Sequence, residues 1–478
     1  MMSNTLATNT YERKISPFER LFTRSPFSLV TMVARIKGEV SMDLLKQAVS
    51  KVQLRHTHLR VRIKEDQDHV PWFTTEGVGE IPIELVHREA EDDWINVHQE
   101  ASKIPFEFEK RPAIRFILVH SSTVSELIIL CHHIICDGLS LAYLARDLMV
   151  HLGDPNREVE VLADPVPVDS HNFPPDVSLN GLVKFFINRI NKKWEADKCT
   201  FDQEDYEALN ESYWKHFHHK VFSIELSESQ TSTLVDRCKT EKVTVNTALT
   251  TAFIGAQVAV QGNQPYHASI GIAGSLRDRL PRPAGESMGF YAGIIRPKCK
   301  YDIGKSFWEN ARKFHQKIKP QFTNKNLFSD FLSWLYLEPT ILEAINFKKL
   351  GGLVPKENPR YQKLSAFSQK NDTVLGILKR GKMESLDRKI MGTAITNLTR
   401  MDFPQTYGSL ELDRLIMHPG GAFPLANVNV VLGAVTCSGK LSLILEYAEE
   451  SVDSLSMEKI KNKAMGYLLD NRLVDDTE

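Results

Sequence analysis

No stretch of this chain reaches the ~20 consecutive apolar residues that a membrane helix needs. The nearest candidate, residues 327–344, is broken by Asp330, Glu338, Pro339 and Glu343. The first ten residues are polar and lack the basic and apolar segments of a secretory signal, which predicts a cytoplasmic protein. Cysteine is scarce: six residues, at 131, 136, 199, 238, 299 and 437, are too few and too irregularly spaced for a disulfide framework. Neither sign of charge is in excess. With 59 Lys and Arg against 60 Asp and Glu, the net charge of −1 gives no support to a nucleic-acid partner. No internal repeat is visible. What is left, 42% hydrophobic and 25% charged over 478 residues, is an ordinary globular composition with length for two or three domains.

The most informative segment is His132-His133-Ile134-Ile135-Cys136-Asp137-Gly138, a histidine doublet with Asp and Gly four and five positions beyond the second histidine. By composition such a match is expected about 0.002 times per chain of this size. The other doublet, His218-His219, lacks the Asp-Gly. The apolar run 127–131 before the motif predicts a buried strand, and Leu141, Leu144 and Leu148 after it predict a helix with Ser140 as its N-cap. Strand, tight loop and helix start present a side chain rigidly. If both histidines are extended they point to opposite faces, so one is expected to be catalytic and the other structural.

Strand-like runs at 27–37, 61–63, 83–85 and 114–119, with a helical pattern at 43–52, argue a layered α/β or α+β domain up to about residue 150. Residues 151–180 carry Pro155, Pro165, Pro167, Pro174 and Pro175 without periodicity and mark the interdomain junction. A helix over 182–197 comes next. Beyond it, strands near 222–226, 268–273, 293–297, 427–436 and 441–447 and a buried helix over 245–260 predict a second αβ region. The expected division is 1–175, a linker and connecting helix at 176–212, and 213–478.

These residues resemble the thioester-dependent acyltransferase superfamily, which includes nonribosomal-peptide condensation domains, polyketide-associated and alcohol acyltransferases and chloramphenicol acetyltransferase. The His-His-x-x-x-Asp-Gly core is its signature. Arg55-His56-Thr57-His58-Leu59-Arg60, Pro112-Ala113-Ile114-Arg115, Ser275-Leu276-Arg277-Asp278-Arg279, Met288-Gly289-Phe290-Tyr291, Thr396-Asn397-Leu398 and Tyr407-Gly408 resemble further landmarks in the family order, covering residues 16–450. Serine replaces an asparagine at 275, and Thr399 stands where glycine is frequent. The Asp-Phe-Gly-Trp-Gly block of plant-type members is missing.

The resemblance implies an α/β fold of two chloramphenicol acetyltransferase-like αβ sandwich domains forming a pseudo-dimer, with an interdomain tunnel entered by donor and acceptor from opposite faces. It implies acyl transfer from a coenzyme A or carrier-protein thioester to an alcohol or amine, by a free-standing enzyme needing no cofactor and no metal. His133 would be the general base, which suits an imidazole of pKa near 6.5. His132 would be structural, and Asp137 would turn from the substrate to pair with Arg277, or second with Arg279. Gly138 would permit a conformation or close approach that a side chain blocks. Ser275 and Asn397 are candidate oxyanion donors. The alternative is a non-catalytic relative recruited by an acyl or peptidyl carrier protein. A zinc site built from Cys131, His132, His133 and Cys136 is disfavoured because strand alternation scatters those side chains.

Two further features carry double readings. The mixed apolar and basic segment 182–194 suits either a membrane surface or packing at the junction, the latter favoured. Phe328, Phe331, Trp334, Leu335 and Leu337 suit either an acyl tunnel or, with more weight, a core.

Overall fold

The computed structural model of the protein describes residues 10–329, 331–370, 392–420 and 428–469. The polar start at 1–9, Asp330 and Asn427 lie outside the described residues. In chain order the described strands are β1 (Glu12–Lys14), β2 (Leu29–Lys37), β3 (Arg62–Glu65), β4 (Pro71–Thr74), β5 (Ile83–His87), β6 (Ile114–His120), β7 (Val124–His132), β8 (His219–Glu225), β9 (Ile270–Ser275), β10 (Ala292–Ile295), β11 (Gly392–Met401), β12 (Thr406–Tyr407), β13 (Leu410–His418), β14 (Val428–Cys437) and β15 (Lys440–Ala448).

Two six-stranded sheets, ordered β12-β13-β2-β7-β6-β5 and β10-β9-β11-β14-β15-β8, each with packed helices, make the two-lobed αβ architecture that the resemblance implies. The apolar run 127–131 lies in β7, a central strand hydrogen-bonded to both β2 and β6, which is why it needs no polar face. In the second lobe the helix Val245–Gln261, apolar almost all round, is buried between helices Phe307–Ile318 and Ser454–Leu469. Residues 154–180 form no regular element, but they strap the lobes: Leu162 N–H donates to the Arg55 carbonyl and Tyr291 Oη to that of Val166.

The division between the sheets does not follow the chain. β12 and β13, far into the second half, pair into the first lobe's sheet, β13 lying antiparallel to β2. Where β13 passes β14 of the other sheet, a Cβ at Gly433 would lie 2.3 Å from the Met417 carbonyl oxygen, so only glycine allows this crossing. The helix Pro339–Leu350 also returns to the first lobe, adding Ile341, Leu342 and Phe347 to its core. Phe328 and Phe331 belong to the second lobe's core and Leu337 to the first, in keeping with the packing reading of that aromatic segment.

Glu343 on this returning helix is buried with Arg20 and Arg24; Arg20 Nη2 donates to it at 2.7 Å. Removing the carboxylate takes from buried Arg20 its described ion-pair partner, while Arg24 keeps Glu65 at 2.7 Å. Glu343→Ala is therefore expected to lower the unfolding free energy by ~3–5 kcal/mol, measured by chemical denaturation. A change under ~1 kcal/mol would show that the arginines find other partners.

Candidate active site at the lobe junction

β7 ends at His132, the loop 133–137 leads out of it, and the helix Gly138–Gly153 begins. The two histidines part at the strand end, where His132 closes β7 and His133 opens the turn that follows. His132 is fully buried, its ring edge-on to Phe108. Its Nδ1 accepts the Ile134 N–H at 3.3 Å, so Nε2 carries the proton and donates to the Ser25 carbonyl at 3.0 Å. Burial, only partly opposed by that carbonyl, pushes its pKa down to about 3. His132 is thus a neutral wedge.

His133 is only partly buried, between the rings of Phe22 at 5.4 Å and Phe290 at 5.1 Å. Its backbone N–H donates to the Ser28 carbonyl, and its Nδ1 lies 3.2 Å from the Cys136 carbonyl. A carbonyl only accepts, so the Cys136 carbonyl favours the tautomer with the proton on Nδ1, in which Nε2 carries the lone pair. Burial lowers the imidazole pKa below the usual value, while the Cys136 and Pro419 carbonyls and the Asp137 charge favour the protonated ring.

Asp137 faces away from His133's ring and into the lobe junction. Its Oδ1 accepts from Ser140 N at 2.7 Å and from Arg277 Nη2 at 2.8 Å, and its Oδ2 from Tyr291 N at 3.0 Å. Arg277, 3% exposed, spends its other nitrogen Nη1 on the carbonyls of Gly285 and Ser287, both at 2.9 Å. Burial disfavours the ionised carboxyl, but Arg277 and the Ser140 donors outweigh it and hold Asp137 below the ordinary carboxylate range. One expectation is corrected: the N-cap is Asp137, not Ser140. The carboxylate takes the cap one turn earlier, and Ser140 sits at the third helical position of a capping box.

A Cβ on Gly138 would stand 3.1 Å from Leu398 Cδ2 of the other lobe, so the close approach lies between the lobes. Arg279 does not compete for Asp137; its Nη1 donates to Asn324 Oδ1 at 2.9 Å. Ser275 is exposed at the end of β9, where its Oγ accepts the Arg277 N–H at 3.2 Å. Asn397 Oδ1 accepts the Thr399 N–H at 2.7 Å. Neither has a described contact with His133. Thr399 has φ 65°, in the left-handed region that favours glycine, and it lies within the register shift of β11, which explains why the resembling proteins put glycine there. Cys131 and Cys136 are buried, and the Cys136 thiol donates to the His132 carbonyl at 3.3 Å. Among the described residues no three His, Cys, Asp or Glu side chains converge as a metal site.

A pocket of about 350 Å³ opens between the lobes, with Leu29, His98, His418, Gly420 and Glu446 in its wall. It adjoins the motif through the backbone, since Leu29 pairs with His132 and Pro419 joins His418 to Gly420. Glu446 Oε1 lies 3.1 Å from His219 Nδ1, and its Oε2 lies 3.5 Å from His418 Nε2. Burial opposes its charge, but His418 and His219 hold the carboxyl below its ordinary range. Sequence reasoning missed these residues, and also Phe22 and the role of Phe290. They come from six separate segments, with no spacing that announces them.

Arg277→Met would leave Asp137 charged and buried, with an expected loss of ~3–5 kcal/mol in unfolding free energy. Asp137→Asn with Arg277→Met should cost clearly less than the sum of the single changes, and strict additivity would show that the pair is not coupled. Because the folded-state pKa of Asp137 is depressed, its contribution is present above the ordinary carboxylate range and is lost as pH falls through the lowered value. The single Arg277→Met variant should therefore show a shallower loss of stability in acid than the native chain.

Residues 8–154 match the condensation-domain family. The nonribosomal peptide synthetase agiA of Aspergillus flavus is 25% identical over 160 residues, which are 32% of this chain and 2% of the synthetase. The chain spans only a few per cent of the length of such curated relatives. Among solved structures, the TRI3 trichothecene 15-O-acetyltransferase of Fusarium sporotrichioides aligns with a TM-score of 0.60 at 10% identity, over 98% of this chain and 97% of the other. The epimerization domain of the third module of tyrocidine synthetase B aligns with a TM-score of 0.57 at 12% identity, over 97% and 96%. The family match is confined to residues 8–154, and the two-lobed fold of the whole chain is the one shared by condensation domains and chloramphenicol acetyltransferase-like proteins.

Proposed function

We propose that this protein transfers an acyl group from a thioester, carried by coenzyme A or by a carrier protein, to an alcohol or amine. The observation that carries this reading is the Cys136 carbonyl 3.2 Å from His133 Nδ1, which favours the Nδ1–H tautomer. With Nδ1–H directed at the Cys136 carbonyl, the Nε2 lone pair is the basic atom of the motif. Nε2 takes the acceptor's proton as its oxygen or nitrogen attacks the thioester carbonyl. The carbon–sulfur bond then breaks, and the departing thiolate recovers the proton from Nε2. No acyl-enzyme, metal or cofactor enters this scheme. Ser275 and Asn397 remain the candidate oxyanion donors, and the pocket walled by Leu29, His418 and Glu446 is a cavity at the lobe junction one strand away from β7.

The match to segments of nonribosomal peptide synthetases supports a carrier-bound donor as well as coenzyme A. It also supports the second reading, a carrier-recruited protein without turnover. The experiment is free-thiol release from acyl-coenzyme A and acyl-carrier thioesters, with alcohol and amine acceptors, run beside His133→Ala. Acceptor-dependent release that falls by ~10²–10⁴ in the variant is expected. Undiminished release in the variant would remove His133 from the chemistry, while carrier binding without any release would favour the second reading.

The pH dependence has a definite sign. The base must be unprotonated and burial lowers its pKa, so kcat/KM is expected to fall on the acid side with an apparent pKa below the ordinary histidine value. A limb above that value would contradict the placement of the ring.

A further inference from the structure

The helix Gly181–Glu195 turns two unlike faces to its surroundings. Inward, Ile187, Ile190 and Trp194 are buried, Trp194 Nε1 donates to Thr340 Oγ1 at 2.7 Å, and Asn191 Nδ2 donates to the Tyr336 carbonyl at 2.8 Å. The helix is therefore held to the body of the protein, as the packing reading expects. Outward, Leu182, Phe185 and Phe186 are 64%, 61% and 54% exposed. They belong to a run that supplies four of the ten exposed large hydrophobic residues described, the fourth being Val183. Scattered exposed apolar side chains are ordinary, but a contiguous cluster on one helix marks a contact surface.

At 100° per residue, Leu182, Phe185, Phe186, Arg189, Lys192 and Lys193 fall on the same outward face, apolar in the first half of the helix and cationic in the second. Arg189, Lys192 and Lys193 are exposed, and no Asp or Glu occurs between residues 177 and 194 to neutralise them. In a chain of net charge −1 this is a local concentration of one sign. The apolar residues seek a low-dielectric layer, and the cations, one to two turns away, require anions at its edge. Phe side chains at the acyl boundary beside Lys and Arg at anionic headgroups satisfy both requirements together.

We propose that the outward face of helix Gly181–Glu195 docks this protein on an anionic lipid surface. The contact is peripheral: Leu182, Phe185 and Phe186 enter the interface, Arg189, Lys192 and Lys193 meet the headgroups, and the buried face keeps the helix on the protein. It lies outside the His133 loop and is independent of the acyl-transfer reading.

The test is co-sedimentation of the full chain with vesicles of phosphatidylserine and phosphatidylcholine, beside vesicles of phosphatidylcholine alone. Binding to the anionic vesicles, weakened by salt, is expected. Phe185→Ser with Phe186→Ser, and separately Lys192→Glu with Lys193→Glu, should each weaken it at least about tenfold. Because all four side chains are exposed, the far-ultraviolet circular dichroism and unfolding midpoint of both variants should match the native chain, so a loss of binding is not a loss of fold. Absence of binding to anionic vesicles, or equal binding by native and variant proteins, would overturn the proposal. If the variants lose association with an acidic carrier protein while the native chain ignores vesicles, the face is a protein-docking surface and the lipid assignment fails.

Discussion

The pairing of Asp137 with Arg277 is the constraint on which the rest of the site depends. One carboxylate caps the helix Gly138–Gly153, receives a guanidinium from the other lobe and takes the Tyr291 N–H from the turn that carries Phe290. Phe290 in turn packs edge-on against His133. The loop from His133 to Asp137 is thus fixed at both ends, by the Ser28 carbonyl on the strand side and by the interlobe pair on the helix side. A buried ion pair is weak evidence for stability in general, because the cost of removing two charges from water can exceed their attraction. Here every oxygen of the carboxylate has donors, and the return is geometric: the same carboxylate that caps its own helix is held by Arg277 and the Tyr291 N–H of the other lobe.

Legibility in the sequence tracked the range of the interactions. The strand β7 and the helix after the motif rest on neighbours in sequence, and they could be read from periodicity. The cap was misplaced by one turn because Asp137 and Ser140 are both good capping residues, and only the backbone decides which is first. β13 was not foreseen at all. Its partner β2 lies more than 370 residues earlier at the Lys37–Glu411 pairing, and no local pattern says that a strand late in the chain belongs to the first sheet. The pocket at the lobe junction was hidden for the same reason, since His98, His219, His418 and Glu446 meet only after both lobes have formed. The segment of helix Gly181–Glu195 admits both packing and a surface contact in sequence, because a helical wheel gives two faces but not which of them the body covers.

The fold alone does not choose the chemistry. An acetyltransferase and an epimerization domain share it with this chain at 10% and 12% identity, so the same scaffold serves proteins with differently named activities. What discriminates is the site. A base placed to remove a proton serves many reactions, and the product depends on which atom stands opposite Nε2 and on what stabilises the charge that develops. Phe22 and Phe290, whose rings pack on each other at 4.4 Å and both against His133, make an apolar flank on the imidazole.

The second question turns on the balance around the His133 ring. Its surroundings lower the imidazole pKa through burial, which keeps the ring unprotonated and ready. Two carbonyls and the nearby Asp137 charge favour the imidazolium, the form that exists once the proton has been taken. Under the proposed function, a base that is desolvated at rest and compensated by fixed dipoles after uptake would require little reorganisation, which is how preorganised groups lower a barrier. The carbonyl of Cys136 can serve that purpose only if the loop keeps its shape, and the loop keeps its shape because Asp137 is tied to Arg277. The electrostatics of the base in one lobe therefore depend on a guanidinium supplied by the other.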